Sequence, residues 1–223
     1  MNSAIIFDMD GTLYQTNLIL EPALEATFEQ LRKNGQWTGA TPIEKYRQIM
    51  GVPLPVVWET LCPDHSAEIR QESNKLFQLA LIEQITSGNG ALYDEVEHTL
   101  ENLSKNYPLF IASNGQTAYL QAIAETYQLT KWIKGIYSID IIASGNKSEL
   151  VATVLQENNI HRGFVVGDRS SDIQAAFDNQ LISIGVRFDF SQESELEKAH
   201  YTVNRFDEID KIIEHALNTN AFD

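Results

Sequence analysis

Asp8 and Asp10 stand two residues apart at the end of a short apolar run, Ala4-Ile5-Ile6-Phe7, and Gly11-Thr12-Leu13 follows them. Two acids gathered where a buried strand ends are costly unless something cationic sits between them. Such a pair suits a metal ion and a nucleophile. Further polar groups recur along the chain, each after an apolar run. They are Ser113 and Asn114 before Gly115, Lys147 at a helix start, and Asp168 and Asp172 after Gly167. Taken singly, each has an ordinary explanation: a turn, a solvated lysine, an acid favouring a helix N-terminus. Their succession at the ends of separate runs is what points to chemistry.

The chemistry these groups permit is phosphoryl transfer. A carboxylate can attack phosphorus if the charge of the phosphate is neutralised. Mg²⁺ does this through oxygen ligands in octahedral geometry. Lys147 and the donors of Ser113 and Asn114 suit the equatorial oxygens as charge develops on them. A second carboxylate is needed to protonate the leaving oxygen and later to activate water.

Groups so far apart in sequence must be brought together by strands. Ala4 to Phe7 reads as a strand buried on both faces, as in a parallel sheet. Further strands are expected over 108–112, 136–142, 163–167 and 181–186, with an edge strand over 201–203. Helical spacing marks the stretches between them, around 92–103, 120–127, 146–155, 173–177 and 209–217. This alternation predicts an α/β fold, a doubly wound parallel sheet with helices on both faces and the strand ends converging on one edge. The start of the helix at Lys147 carries Asn146 and Glu149 as a capping pair.

Residues 15–86 break the alternation. Tyr14 to Leu20 reads as a loop over the strand end. Pro22 opens a helix that Asn34-Gly35 closes. Thr41-Pro42-Ile43-Glu44 has the form of a capping box for a second helix, which stops at Gly51. A short helix through Val57, Trp58 and Leu61 follows, then a longer one from Ser66 to Ile85. Ser87-Gly88-Asn89-Gly90 is the clearest linker in the chain. The expected organisation is a core of 1–14 and 87–223 with an all-helical insertion of 15–86. Gln48 to Trp58, around 51–54, is the expected specificity segment of that insertion.

The 223 residues carry a net charge of -15, which argues against nucleic acid, whose binding proteins present a basic footprint. The one cysteine, Cys62, excludes a disulfide within the chain and fits a reducing compartment. No basic, apolar leader is visible, and no apolar stretch approaches the ~18 residues of a membrane span. The expectation is a cytoplasmic monomer or homodimer acting on a small phosphorylated metabolite, with no nucleic-acid or membrane partner.

The sequence resembles the haloacid dehalogenase-like hydrolase superfamily, and within it the phosphoglycolate phosphatase and β-phosphoglucomutase branch with a helical cap. The resemblance rests on Asp8-Met9-Asp10-Gly11-Thr12-Leu13, Ser113-Asn114-Gly115, Lys147, and Gly167-Asp168-Arg169-Ser170-Ser171-Asp172. It covers the whole core and places the cap at 15–86. It implies that Asp8 is a nucleophile that becomes an aspartyl-phosphate. Asp10 would be the general acid/base and would lend its backbone carbonyl to Mg²⁺. Asp168 would be a metal ligand, and Asp172 would support the metal shell. Thr12, Ser113, Asn114 and Gly115 would bind the phosphorylated substrate, with Lys147 as the catalytic cation.

The sequence departs from the family pattern in three places. Tyr14-Gln15-Thr16 replaces the usual acidic and serine residues, Ser148 a common proline, and Arg169 a small residue. The resemblance also implies that dehalogenases and phosphonatases lack an acid at position 10, so Asp10 argues against both. The expected activity is Mg²⁺-dependent hydrolysis of a small phosphomonoester. A sugar-phosphate mutase using the same aspartyl-phosphate is the alternative, and a non-catalytic binding protein the third reading.

Overall fold

Apolar runs rich in Ile, Val and Phe alternate with amphipathic helices, and the chain folds accordingly. The computed structural model describes residues 3–49 and 54–219. In chain order the elements are β1 (Ser3–Phe7), α1 (Asn17–Lys33), α2 (Ile43–Gln48), α3 (Leu54–Leu61), α4 (Ala67–Thr86), α5 (Val96–Ser104), β2 (Leu109–Ser113) and α6 (Thr117–Thr126). There follow β3 (Ile133–Ser138), α7 (Lys147–Glu157), β4 (Arg162–Gly167), α8 (Ser170–Asp178), β5 (Ile182–Val186), α9 (Glu193–Leu196), β6 (Tyr201–Val203) and α10 (Glu208–Asn218).

The six strands make one sheet in the order β3-β2-β1-β4-β5-β6, and every pairing is parallel. The order reverses direction around β1, so the sheet is doubly wound, as the alternation predicts. Strand β1 is buried along its whole length. Ala4 and Ile6 join a cluster with Leu150, Val151 and Val154 of α7 and Ala175 and Ala176 of α8. Ile5 and Phe7, alternating with them, face the other way, and the Phe7 ring lies 5.8 Å from that of Phe206. Burial on both faces explains why β1 reads as a continuous apolar run.

Phe7 is level with Ile111 of β2 and with Val166 of β4. Asp8 and Gly167 therefore lie one residue further along, at the same edge as Ser113. A parallel sheet puts every strand's C-terminal end on that edge, where open α/β sheets bind ligands.

The chain divides into two compact units, Met1–Gln15 with Ala91–Asp223, and Thr16–Gly90. The second unit is helical among its described residues. Its longest helices, α1 and α4, bury Leu24, Phe28 and Leu31 and Phe77, Leu81 and Ile85 respectively. Phe28, Trp58 and Phe77 form its aromatic centre, with ring centroids 6.3 Å and 5.9 Å apart in the two pairs.

Several boundaries differ from the sequence expectation. Helix α1 begins at Asn17, so 17–20 is helix and not loop, and Pro22 lies inside it. Burial of Ile19 and Leu20 carries the helix back past the proline. Thr41 makes no capping box: α2 is preceded by Pro42 without a side-chain cap, and Thr41 Oγ1 accepts from Arg32 Nη1 at 3.2 Å. The expected stop at Gly51 and the centre of the 48–58 segment lie outside the described residues. Leu92 is not in α5; it pairs with Tyr14 in an antiparallel bridge.

Strand β3 runs over Ile133–Ser138 in place of 136–142. Ile139–Ile141 coils into a 3-10 turn because Ser138 Oγ accepts from Asp140 N at 3.1 Å, which competes with extension. Asn146 caps α7 through Ser148 N at 2.7 Å, whereas Glu149 turns to Ser144 Oγ.

Candidate active site

The chain bends sharply after Asp8. Met9 O accepts from the backbone N–H groups of Thr12, Leu13 and Tyr14, and Gly11 takes φ +72 to close the turn. Asp8 and Asp10 consequently do not act as one pair. Asp8 Oδ1 accepts from Met9 N at 2.8 Å, and its Oδ2 lies 2.9 Å from Lys147 Nζ. Asp10 turns its Oδ1 to the Tyr119 hydroxyl.

Lys147 is the first residue of α7, and Asp172 lies in the first turn of α8. Nζ of Lys147 lies 2.5 Å from Asp172 Oδ1, so the ammonium bridges two carboxylates. Asp172 Oδ2 accepts from Arg169 N at 3.1 Å, which anchors its second oxygen. Asp168, directly after β4, is buried, and its Oδ1 accepts from Thr12 Oγ1 at 3.2 Å. Oxygens of Asp8, Asp168 and Asp172 lie within 4.8 Å of one another.

Three carboxylates thus gather in a buried place, and one ammonium pairs with two of them. Burial drives the Asp168 carboxyl well above its usual range, and Asp8 and Asp172 add to this. Burial pushes the Asp172 carboxyl up to about 6, against the pull of Lys147. Burial would lower the Lys147 ammonium, but Asp172 and Asp8 outweigh it and raise it. A cluster short of positive charge, with oxygen donors only, fits a small divalent cation such as Mg²⁺.

The Ser113-Asn114-Gly115 loop stands one strand over. Ser113 is buried and its Oγ accepts from Gly115 N at 3.2 Å, while Asn114 is exposed. The loop is held from below by groups the sequence did not single out. Ser138 Oγ donates to Gly115 O at 2.7 Å, and Thr117 N and Oγ1 donate to Asp140 Oδ2 at 2.8 and 3.0 Å. Ser138 and Asp140 close a neighbouring strand, so position at the sheet edge was the signal that could have found them.

Each departure from the family pattern has a structural counterpart. Arg169 pairs with Glu195 through Nε at 2.8 Å and Nη2 at 2.9 Å, and Glu195 also accepts from Ser170 N. Ser148 Oγ donates to Asp178 Oδ2 at 2.6 Å, tying α7 to α8. The Tyr14 ring packs against Tyr127, centroids 5.5 Å apart. Tyr93, another residue the sequence reading missed, stacks on Phe188 at 4.5 Å and donates to Asp189 Oδ2 at 3.0 Å.

Residues 5–186 match a family described as haloacid dehalogenase-like hydrolase. The chain is 23% identical over 207 residues to a protein of Pseudomonas aeruginosa called 5′-nucleotidase, covering 88% of this chain and 87% of that one. It is similar in structure to a predicted phosphatase from Clostridium acetobutylicum, with a TM-score of 0.78, 22% identity, and coverage of 96% and 99%. CbbY from Rhodobacter sphaeroides in complex with phosphate gives a TM-score of 0.77 at 18% identity, covering 94% of this chain and 96% of that one. Such structural likeness shows the fold.

Proposed function

Because the chain belongs to the haloacid dehalogenase-like hydrolases, we propose that it is a Mg²⁺-dependent phosphatase of small phosphomonoesters. The observation that carries this reading is the Asp8–Lys147 ion pair inside a buried three-carboxylate cluster, with the Asp10 side chain held on a separate partner. Asp8 is the nucleophile and Asp10 the general acid/base. The phosphate-bound CbbY and the 5′-nucleotidase are relatives whose names carry phosphate chemistry, and they support the reading.

Mg²⁺ would be held by Asp8, Asp168 and the backbone carbonyl of Asp10, with Asp172 orienting the set. When bound it neutralises phosphate charge and lets an anionic nucleophile approach an anionic ester. The side chains do the rest. An Asp8 oxygen attacks phosphorus, the ester P–O bond breaks, and Asp10 gives its proton to the departing oxygen, which leaves as an alcohol. Asp10, now a carboxylate, takes a proton from water as that water attacks the aspartyl-phosphate. Inorganic phosphate leaves and the Asp8 carboxylate is regenerated. Lys147, Ser113 and Asn114 meet the equatorial oxygens, and Thr12 and Gly115 shape their cradle. Thr16–Gly90 acts as a helical cap that reads the organic part of the substrate.

Incubation with p-nitrophenyl phosphate, with and without Mg²⁺, tests the reading against an Asp8→Asn variant. The wild-type protein is expected to release p-nitrophenolate only with the metal, and the variant to fall to background. Release equal in the two proteins would sink it. A panel of nucleoside monophosphates, phosphoglycolate and hexose phosphates then defines the substrate. Interconversion of a sugar phosphate without phosphate release would move the assignment to a mutase.

A further inference from the structure

Under the phosphatase reading, Asp10 must present its proton to the leaving oxygen and take one back from water. A carboxyl group has two oxygens, and either can carry that proton. In this protein Oδ1 is tied to a residue distant in sequence. The Tyr119 hydroxyl donates to Asp10 Oδ1 at 2.5 Å, across 109 positions of sequence.

The phenol is firmly mounted. Tyr119 lies in the first turn of α6 and is buried. The start of that helix is held by Asp140 through Thr117, and the loop before it by Ser138 through Gly115 O. The ring also fills the space beside Gly115. A Cβ at that position would lie 3.0 Å from Tyr119 Cδ1 and 2.9 Å from Leu120 Cδ2, so the glycine leaves room for the ring. Across from it, the main chain of Asp10 is fixed by its bridge to Tyr14.

We infer that Tyr119 is a positioning residue for Asp10: its bond to Oδ1 fixes the plane of the carboxyl group that delivers and recovers the proton. This rests on the phosphatase reading. In the first half-reaction Asp8 bonds to phosphorus, the ester bond breaks, and the Asp10 proton passes to the ester oxygen. In the second, the same carboxyl group takes a proton from the attacking water. Tyr119 keeps its own proton in both. An anchored carboxyl group meets each proton transfer already aligned, which is the condition for efficient acid catalysis.

The leaving group supplies a test that a merely structural role would not pass. An alkoxide needs a proton to leave, whereas p-nitrophenolate does not. Tyr119→Phe removes one oxygen and keeps the ring. We expect kcat/KM for glycerol phosphate to fall about tenfold or more, with a several-fold smaller loss for p-nitrophenyl phosphate. In an Asp10→Asn background, where no proton is delivered, adding Tyr119→Phe should change kcat/KM for glycerol phosphate little. Unchanged kinetics in Tyr119→Phe, equal losses on the two substrates, or fully additive losses in the double variant would each overturn the inference. Failure of the wild-type protein on both esters is a different result, because it removes the phosphatase reading and this inference with it.

Discussion

At Gly167 the main chain of β4 passes so close to Asp172 that a methyl group has no place: a Cβ there would lie 2.1 Å from Asp172 Cγ. The glycine is what lets Asp172 reach Lys147 from the next helix. Gly167→Ala should therefore cost about 1–3 kcal/mol of stability by overpacking, read from urea denaturation. It should also lower kcat about 10²-fold in the folded protein, because a catalytic pair displaced by an ångström loses its alignment. Full activity in that variant would mean that the position of Asp172 is irrelevant to the reaction. At this scale the sequence was readable wherever a residue type is costly without a job. Asp8, Asp168, Asp172 and Lys147 stand out as charges beside apolar runs, and the structure brings them together. Tyr119 did not stand out. A tyrosine on the buried side of a helix satisfies its periodicity with or without a distant partner, so its hydroxyl leaves no local trace. The pairing of Arg169 with Glu195 is hidden for the same reason, because it spans 26 positions.

Among the elements, strands with two buried faces were the most legible, because β1, β2, β4 and β5 are apolar at every position or nearly so. Strand β3 lies at an edge of the sheet, mixes Lys134 and Gly135 into its length, and is only partly buried, so its apolar signal is diluted and its start was misplaced. The opposite edge carries a pH-sensitive contact. His200 Nδ1 accepts from Ser183 N at 3.1 Å and lies 2.8 Å from Ser183 Oγ, which joins the start of β6 to β5. Burial lowers the affinity of the ring for a proton below the ordinary histidine value. An acceptor nitrogen that becomes protonated can no longer take the Ser183 bond. The sign follows from linkage. Above about pH 6.5 the ring is neutral in both states and the contact contributes fully. As pH falls through that value, the unfolded chain takes up the proton first, and stability is lost until the folded ring is protonated as well. The Tm should fall between pH 7 and pH 5 more steeply in the wild-type protein than in His200→Gln, whose amide oxygen keeps an acceptor. Identical slopes in the two proteins would show that the contact does not titrate.

The molecule as a whole is a core interrupted by a helical unit of its own packing, and the interruption is closed before it begins. Gln15 N donates to Ala91 O at 2.9 Å, Tyr93 N donates to Leu13 O at 3.0 Å, and Gln15 Nε2 donates to Leu92 O at 2.7 Å. The chain therefore leaves and re-enters the core at adjacent points, on a short ribbon that belongs to the core. Removing 16–90 and joining the ends with a few Gly and Ser residues asks nothing new of the sheet. It shortens the loop to be closed, which lowers the entropic cost of folding the core by about 2–3 kcal/mol on the logarithmic dependence of loop closure. The shortened protein should keep a single cooperative urea transition. If Thr16–Gly90 reads the organic part of the substrate, the shortened protein should still hydrolyse p-nitrophenyl phosphate with Mg²⁺. Its kcat/KM values across a metabolite panel should converge, because every group assigned to the phosphoryl step lies in the remaining residues. A shortened protein that keeps the substrate ranking of the full chain would place specificity in the core. One that folds but hydrolyses nothing would place part of the phosphoryl chemistry in the helical unit.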